Sequence, residues 1–224
     1  MDLQNYLKAN SYPGRGILLG KIEDYAVIAY FIMGRSVNSR NRIFEECADG
    51  IRTKAFEESK MTDPSLIIYY PYRVHADKHI ITNGDQTDTI FEYIKKGKTF
   101  EEALETRTFE PDAPNFTPRI SGMVQGDKAV LSILKKDSED TARNFYRFTL
   151  QKGEGKLIHT YESDGDPLPS FTGEPRSFAI GGSLKEFSDY LWESLHCDNK
   201  VSLLVKKIAK DGTVETIITN KNAR

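Results

Sequence analysis

The feature that most constrains this chain is a series of short β-rich apolar runs crowded near its start. Ile17-Leu18-Leu19 and Val27-Ile28-Ala29-Tyr30-Phe31-Ile32 flank the charged turn Lys21-Ile22-Glu23-Asp24. Branched and aromatic residues in runs of that length, broken by such a turn, read as a hairpin of two core strands. Residues 51–56 and 66–74 continue the style. The run Leu66-Ile67-Ile68-Tyr69-Tyr70 is apolar on both faces, which predicts a central strand buried on both sides.

The period then changes. Ile90, Phe91 and Ile94 recur at helical spacing before Gly97, and Thr99-Phe100-Glu101-Glu102 has the T-x-x-E pattern of a capping box, starting a second short helix. Three prolines make residues 110–118 an extended loop. Strand signals resume at 129–134, 145–150 and 157–161, followed by a loop over 164–175. Ser183-Leu184-Lys185-Glu186 is a further capping box, leading a helix whose apolar face is Leu184, Phe187, Leu191 and Leu195. Two closing strands, 201–208 and 214–219, meet at the turn Asp211-Gly212. Strands, a helix pair, strands, a helix and strands again predict an α+β layered sandwich with mostly antiparallel sheets and helices outside. Residues 1–224 are expected to form one domain, long enough to bury about 70% of the surface of the unfolded chain.

Lysine and arginine number 31 against 33 acids, so nothing in the overall charge suits a nucleic acid or a membrane surface. Cys47 and Cys197 make no disulfide framework and no metal spacing, and His75, His79, His159 and His196 are scattered. Residues 1–10 lack an apolar signal core, and no apolar run approaches the ~20 residues of a membrane span. The expected location is the cytoplasm.

Local chemistry concentrates in Arg35-Ser36-Val37-Asn38-Ser39-Arg40-Asn41-Arg42, which holds three arginines and no acid directly after a core strand. Guanidinium forks match phosphate or carboxylate oxygens, and Asn and Ser suit a ribose or a base edge. The stretch therefore reads as a site for a phosphorylated small molecule, with a solvated loop as the plain alternative. Gly14, Gly16 and Gly20 approach a phosphate-loop rhythm but precede a strand, so they read as a tight turn, with Arg15 inside it. Asn83-Gly84-Asp85-Gln86-Thr87-Asp88 enters a helix and suits a sugar hydroxyl or a neutral base better than a phosphate, unless Asp85 or Thr87 is only a cap. The loop Glu110-Pro111-Asp112-Ala113-Pro114-Asn115-Phe116-Thr117-Pro118-Arg119 sets a carboxylate near an arginine, as a general acid or base requires, or is a rigid connector.

These motifs, with Tyr12-Pro13-Gly14-Arg15-Gly16 ahead of them and Tyr69 to Arg73 among them, stand in the order in which they occur in the archaeal-type IMP cyclohydrolase family, which the chain resembles over residues 12–135. The resemblance implies a four-layer αββα sandwich like that of the N-terminal-nucleophile hydrolases. Met1-Asp2 offers no such nucleophile, so the architecture is expected without that chemistry. It implies dehydrative closure of 5-formamidoimidazole-4-carboxamide ribonucleotide to inosine monophosphate, with no metal or organic cofactor. By the resemblance, Arg35, Tyr69 and Glu110 are the catalytic residues, and Arg42, Asn115 and Arg119 hold substrate. The local readings add Arg15, Arg40, Asn83, Thr87 and Asp88 as binding candidates. Phe116 interrupts the N-T-P-R-like loop, and Asp85 stands where the archaeal pattern has serine. The expected partner is a purine-precursor ribonucleotide, without nucleic acid or membrane, and a homo-oligomer is compatible with the sequence. The competing readings are a non-catalytic purine-nucleotide-binding protein of the same fold and an amide hydrolase acting through an internal nucleophile.

Overall fold

The computed structural model describes residues 2–61 and 63–222; Met1, Thr62, Ala223 and Arg224 lie outside them. The expected first hairpin is present as β1 (Arg15–Ile22) and β2 (Tyr25–Met33), turning at Glu23, which takes φ +49°. A helix, α1 (Leu3–Lys8), precedes it, and one helical turn, α2 (Val37–Arg40), follows. Next come β3 (Arg42–Cys47), β4 (Gly50–Ala55), β5 (Tyr72–His75), β6 (Lys78–Thr82), α3 (Gln86–Lys95) and α4 (Phe100–Glu105). The chain continues through β7 (Arg119–Gln125), β8 (Lys128–Asp137), β9 (Asp140–Thr149), β10 (Glu154–His159), β11 (Arg176–Ala179), α5 (Leu184–Ser194), β12 (Lys200–Ile208) and β13 (Val214–Asn220). Both capping boxes close: Glu102 N donates to Thr99 Oγ1 and Thr99 N to Glu102 Oε2, with the same exchange between Ser183 and Glu186.

The strands form two sheets in the orders β11-β10-β1-β2-β12-β13 and β3-β4-β5-β6-β7-β8-β9. Every named strand pair is antiparallel, so the fold is mixed α+β on mostly antiparallel sheets. Successive strand residues point to opposite faces, and here both faces are covered. Leu18 shares one core with Leu7, Phe187 and Leu191 of the helices, while Ile17 and Leu19 share another with Ile51, Ile81 and Leu131 of the other sheet. Beyond that second sheet, Ile80, Val130 and Leu134 pack on Ile90, Ile94, Phe100 and Leu104 of α3 and α4. Double burial explains why the first strands read as unbroken apolar runs rather than alternating ones.

One expectation fails. Residues 66–70 form turns, not a central strand, and β5 begins only at Tyr72. Ile67 N and Ile68 N both donate to Pro64 O, and Pro71 has no N–H to continue a ladder. The segment instead hangs on β4 through Thr53, whose hydroxyl donates to Ile67 O and accepts from Tyr69 N. Tertiary packing has overridden β propensity. Among the described residues no helix is long and apolar enough to cross a membrane.

Candidate functional site

The turn into β1 places an arginine where the two sheets meet. Gly14 takes φ +77°, and a Cβ there would lie 2.2 Å from Thr160 Oγ1 and 2.5 Å from Tyr161 Cδ2. Glycine therefore lets both the turn and the Tyr161 ring exist. Met33 N donates to Gly14 O and Thr160 N to Arg15 O, so Arg15 is fixed between the ends of β2 and β10.

A second arginine arrives from the other sheet. Ser36 and Ser39 cap α2 reciprocally, and this single turn swings the chain back so that β3 starts at Arg42. Arg42 is 1% exposed. Its Nε donates to Ser39 O at 2.9 Å, whereas Nη1 and Nη2 are buried with no partner among the described residues. Buried donors are nearly always satisfied, so two open guanidinium nitrogens ask for an anion or a polar oxygen from outside the chain. Burial and the like charge of Arg15 both lower the Arg42 pKa, which makes an acceptor there still more favourable.

Two tyrosines and a carboxyl complete the cluster. Tyr69 meets Tyr30 of β2 hydroxyl to hydroxyl at 2.7 Å, joining the turn segment 66–70 to the first sheet. Glu110, 2% exposed, is held by its N–H on Thr117 O and lies 4.0 Å from Arg119 Nη1. Burial pushes its carboxyl up to about 7 against the pull of Arg15, Arg119 and Arg42, with Asp112 adding to the rise. A carboxyl so placed exchanges protons readily near neutral pH, as a general acid–base group must. Burial raises Tyr69 as well, opposed by Arg42 and Arg15, so its hydroxyl stays a neutral donor.

Around this core, Arg119 donates to Asp85 and to Gln86 Oε1, and Arg107 also donates to Asp85. Burial alone would raise the Asp85 carboxyl; the two arginines outweigh it and hold it below the ordinary range. At the rim, Arg35 is 38% exposed, donates to Asp164 Oδ1 and Gly165 O, and stacks over Tyr12 with its carbon 4.9 Å from the ring centre.

Of the residues singled out in the sequence, Arg15, Arg42, Tyr69, Glu110 and Arg119 come together, and Arg35 stands at their edge. The others are engaged elsewhere. Arg40 gives Nε to Gly34 O and Nη2 to Asn199 Oδ1. Asn83 spends its amide on Pro118 O and accepts from Ile120 N and Gln86. Thr87 bonds Thr82 and Gly84 O, Asp88 pairs with Arg73, and Asn115 accepts from Leu168 N. The sequence does not single out Tyr30 or Tyr161, and it marks Asp112 and Thr117 only as members of the loop 110–119. A tyrosine inside the aliphatic run of β2 was a usable signal, since a buried hydroxyl needs a partner. Tyr161 lies just past β10, and only the pairing of β10 with β1 brings it to the cluster.

A cleft of about 510 Å³ opens at the other end of β1 and β2, near His79. Its carboxylates are already paired, Asp127 with Lys21, Asp24 with Lys210 and Asp77 with Gln125, so it lacks the open donors of the arginine cluster. The grouping of metal-capable side chains among the described residues is His196, Cys197 and Asp198, all exposed and outside the cluster.

Residues 12–212 match the model of the IMP cyclohydrolase-like protein family. An IMP cyclohydrolase of Methanothrix thermoacetophila is 31% identical, covering 74% of this chain and 82% of the relative. One of Methanopyrus kandleri is 32% identical, covering 67% and 75%, and one of Methanosphaera stadtmanae is 24% identical, covering 83% and 92%. With its match covering every strand but β13 and every residue of the arginine–tyrosine–carboxyl cluster, the chain belongs to the IMP cyclohydrolase-like family.

Proposed function

We propose that this protein is an IMP cyclohydrolase, acting on 5-formamidoimidazole-4-carboxamide ribonucleotide in the cytoplasm as a single domain over residues 1–224. The observation that carries the reading is Arg42, a sealed guanidinium with two open nitrogens next to a carboxyl poised near neutrality. In the reaction the carboxamide nitrogen bonds the formyl carbon and gives up one proton, while the formyl oxygen gains one. The carbon–oxygen bond then breaks, the formamide nitrogen loses its proton, a C=N bond forms and water leaves.

Each step has a group to serve it. Arg42 and Tyr69 donate to the formyl oxygen as negative charge develops there, where burial makes such donors strong. Glu110 takes the proton from the attacking nitrogen and returns one to the departing oxygen. Arg35, exposed and held at the rim by Asp164 and Gly165 O, exchanges these for the substrate phosphate, with Arg15 behind it. Because attacking and accepting groups belong to one molecule, holding them in register supplies much of the acceleration. The layering supports an αββα sandwich of the N-terminal-nucleophile hydrolase kind, used here as a frame for arginines, and the chemistry calls for no cofactor.

The test is direct. The purified chain is incubated with the formamido ribonucleotide and IMP absorbance is followed. Turnover that disappears in Arg42→Ala is the expected result. Tight binding without product would replace the reading with a non-catalytic nucleotide-binding one, and neither binding nor product would reject both.

A further inference from the structure

The hydroxyl of Tyr161 has a direction that its neighbours fix. Asp112 accepts twice from Thr117, from the backbone N–H at 2.6 Å and from the hydroxyl at 2.5 Å. A threonine hydroxyl carries one proton, and a carboxylate only accepts. With that proton given to Asp112, Thr117 Oγ1 can only accept from the Tyr161 hydroxyl, 2.5 Å away. Tyr161 thus spends its own proton on Thr117, and its oxygen is left with lone pairs alone. Thr117 is fully buried and Tyr161 is 2% exposed, so water does not compete for this chain. The ring is held as firmly as the hydroxyl: it lies against Gly14, stacks on Tyr12 with centroids 5.9 Å apart, and sits within the field of Arg15.

We propose that Tyr161 is a substrate-facing acceptor that takes the N–H retained by the attacking carboxamide nitrogen, with Thr117 and Asp112 as positioning residues that set its direction. This rests on the cyclohydrolase reading. The carboxamide nitrogen starts with two protons. One goes to Glu110 as the carbon–nitrogen bond forms; the other stays on the ring nitrogen of the product. Apart from Glu110, the charged groups of the cluster are guanidinium donors and the Tyr69 hydroxyl is given to the formyl oxygen, and donors hold a carboxamide by its oxygen without orienting its nitrogen. An acceptor aimed at the retained N–H turns the nitrogen toward the formyl carbon. The same oxygen faces a 4-carboxylate lone pair to lone pair, so Tyr161 selects carboxamide over carboxylate.

The experiment starts from wild-type turnover, so that an inactive wild type counts against the cyclohydrolase reading and not against this one. Y161F, T117V and T117S are then compared in kcat and KM, with thermal melts for each. Loss of one oriented hydrogen bond predicts a kcat lower by about 10- to 100-fold in Y161F and T117V. T117S, which keeps the hydroxyl and loses the methyl, restores most of that loss. The opposite pattern, an active T117V with an impaired T117S, would mean that Thr117 matters only for its shape and would overturn the proposal. So would Y161F turning over within twofold of wild type. Should T117V melt below the assay temperature, Y161F against T117S still decides.

Discussion

Replacing Glu110 by Gln separates what the site gains from what the fold gives up. The ordinary carboxyl value of 4.5 rises to about 7 on folding, chiefly through burial. A raised folded value means the group's contribution is intact below pH 4.5, erodes as the unfolded chain ionises first, and is fully lost once pH passes 7. A rise of that size corresponds to about 3 kcal/mol, most of which develops between pH 5 and pH 8. Gln imitates the protonated form and carries no such penalty. In urea unfolding of both proteins at the two pH values, the stability difference should therefore move toward the variant by about 2–3 kcal/mol as pH rises. At a slope near 2.5 kcal/mol per molar, that is roughly 1 M in urea midpoint. Turnover by the same variant should fall by at least about 100-fold, the contribution of a positioned acid–base group. A stability difference that does not change with pH would refute the reasoning, because it would mean Glu110 is not protonated in the fold at pH 5 to 6.

Three further outcomes follow from the same geometry. Arg42→Met removes a buried cation with two open nitrogens, so the melting temperature should hold or rise, a change within about 2 kcal/mol, while turnover is lost. Arg35→Ala breaks rim contacts alone, the exposed Asp164 pair, the bond to Gly165 O and the stack on Tyr12, so stability should shift by no more than about 1 kcal/mol and KM should rise about tenfold with a smaller change in kcat; calorimetry and initial rates measure the two. Gly14→Ala forces a side chain at φ +77° into Thr160 and Tyr161, and should cost at least about 2 kcal/mol in chemical unfolding.

How much of this was legible in the sequence depended on whether the determinant was local. The capping residues Thr99 and Ser183 act within one turn, and both helices start where those residues say. The first hairpin was equally plain, since its pattern and its turn are contiguous. Residues 66–70 misled because strand-like composition was the only local signal, whereas Pro64, Pro71 and the Thr53 hydroxyl settle the conformation from outside the run. The arginine stretch shows the limit most clearly. Three arginines looked alike in sequence, but the α2 turn sends Arg42 inward, binds Arg40 to backbone and leaves Arg35 at the rim. Charge density located the segment; only the fold could divide its labour. Asp112 and Thr117 stand in the loop 110–119 that the sequence marks, but their link to Tyr161 is not legible there, because it is a chain of protons between loops 44 residues apart.

The Tyr30–Tyr69 contact has a consequence for how activity can be used. One hydroxyl belongs to a strand of the first sheet and the other to a segment hung on the second. Arg15 and Arg42 are divided between the sheets in the same way. The second sheet and its loops carry Arg42, Tyr69, Glu110 and Arg119, while the first carries Arg15 and Tyr30, so the centre is complete only when the two dock and turnover is a reporter of sheet-to-sheet docking rather than of secondary structure. A chain with native circular dichroism and no activity would have its layers built but not yet closed, and recovery of rate after dilution from denaturant would time that final closure.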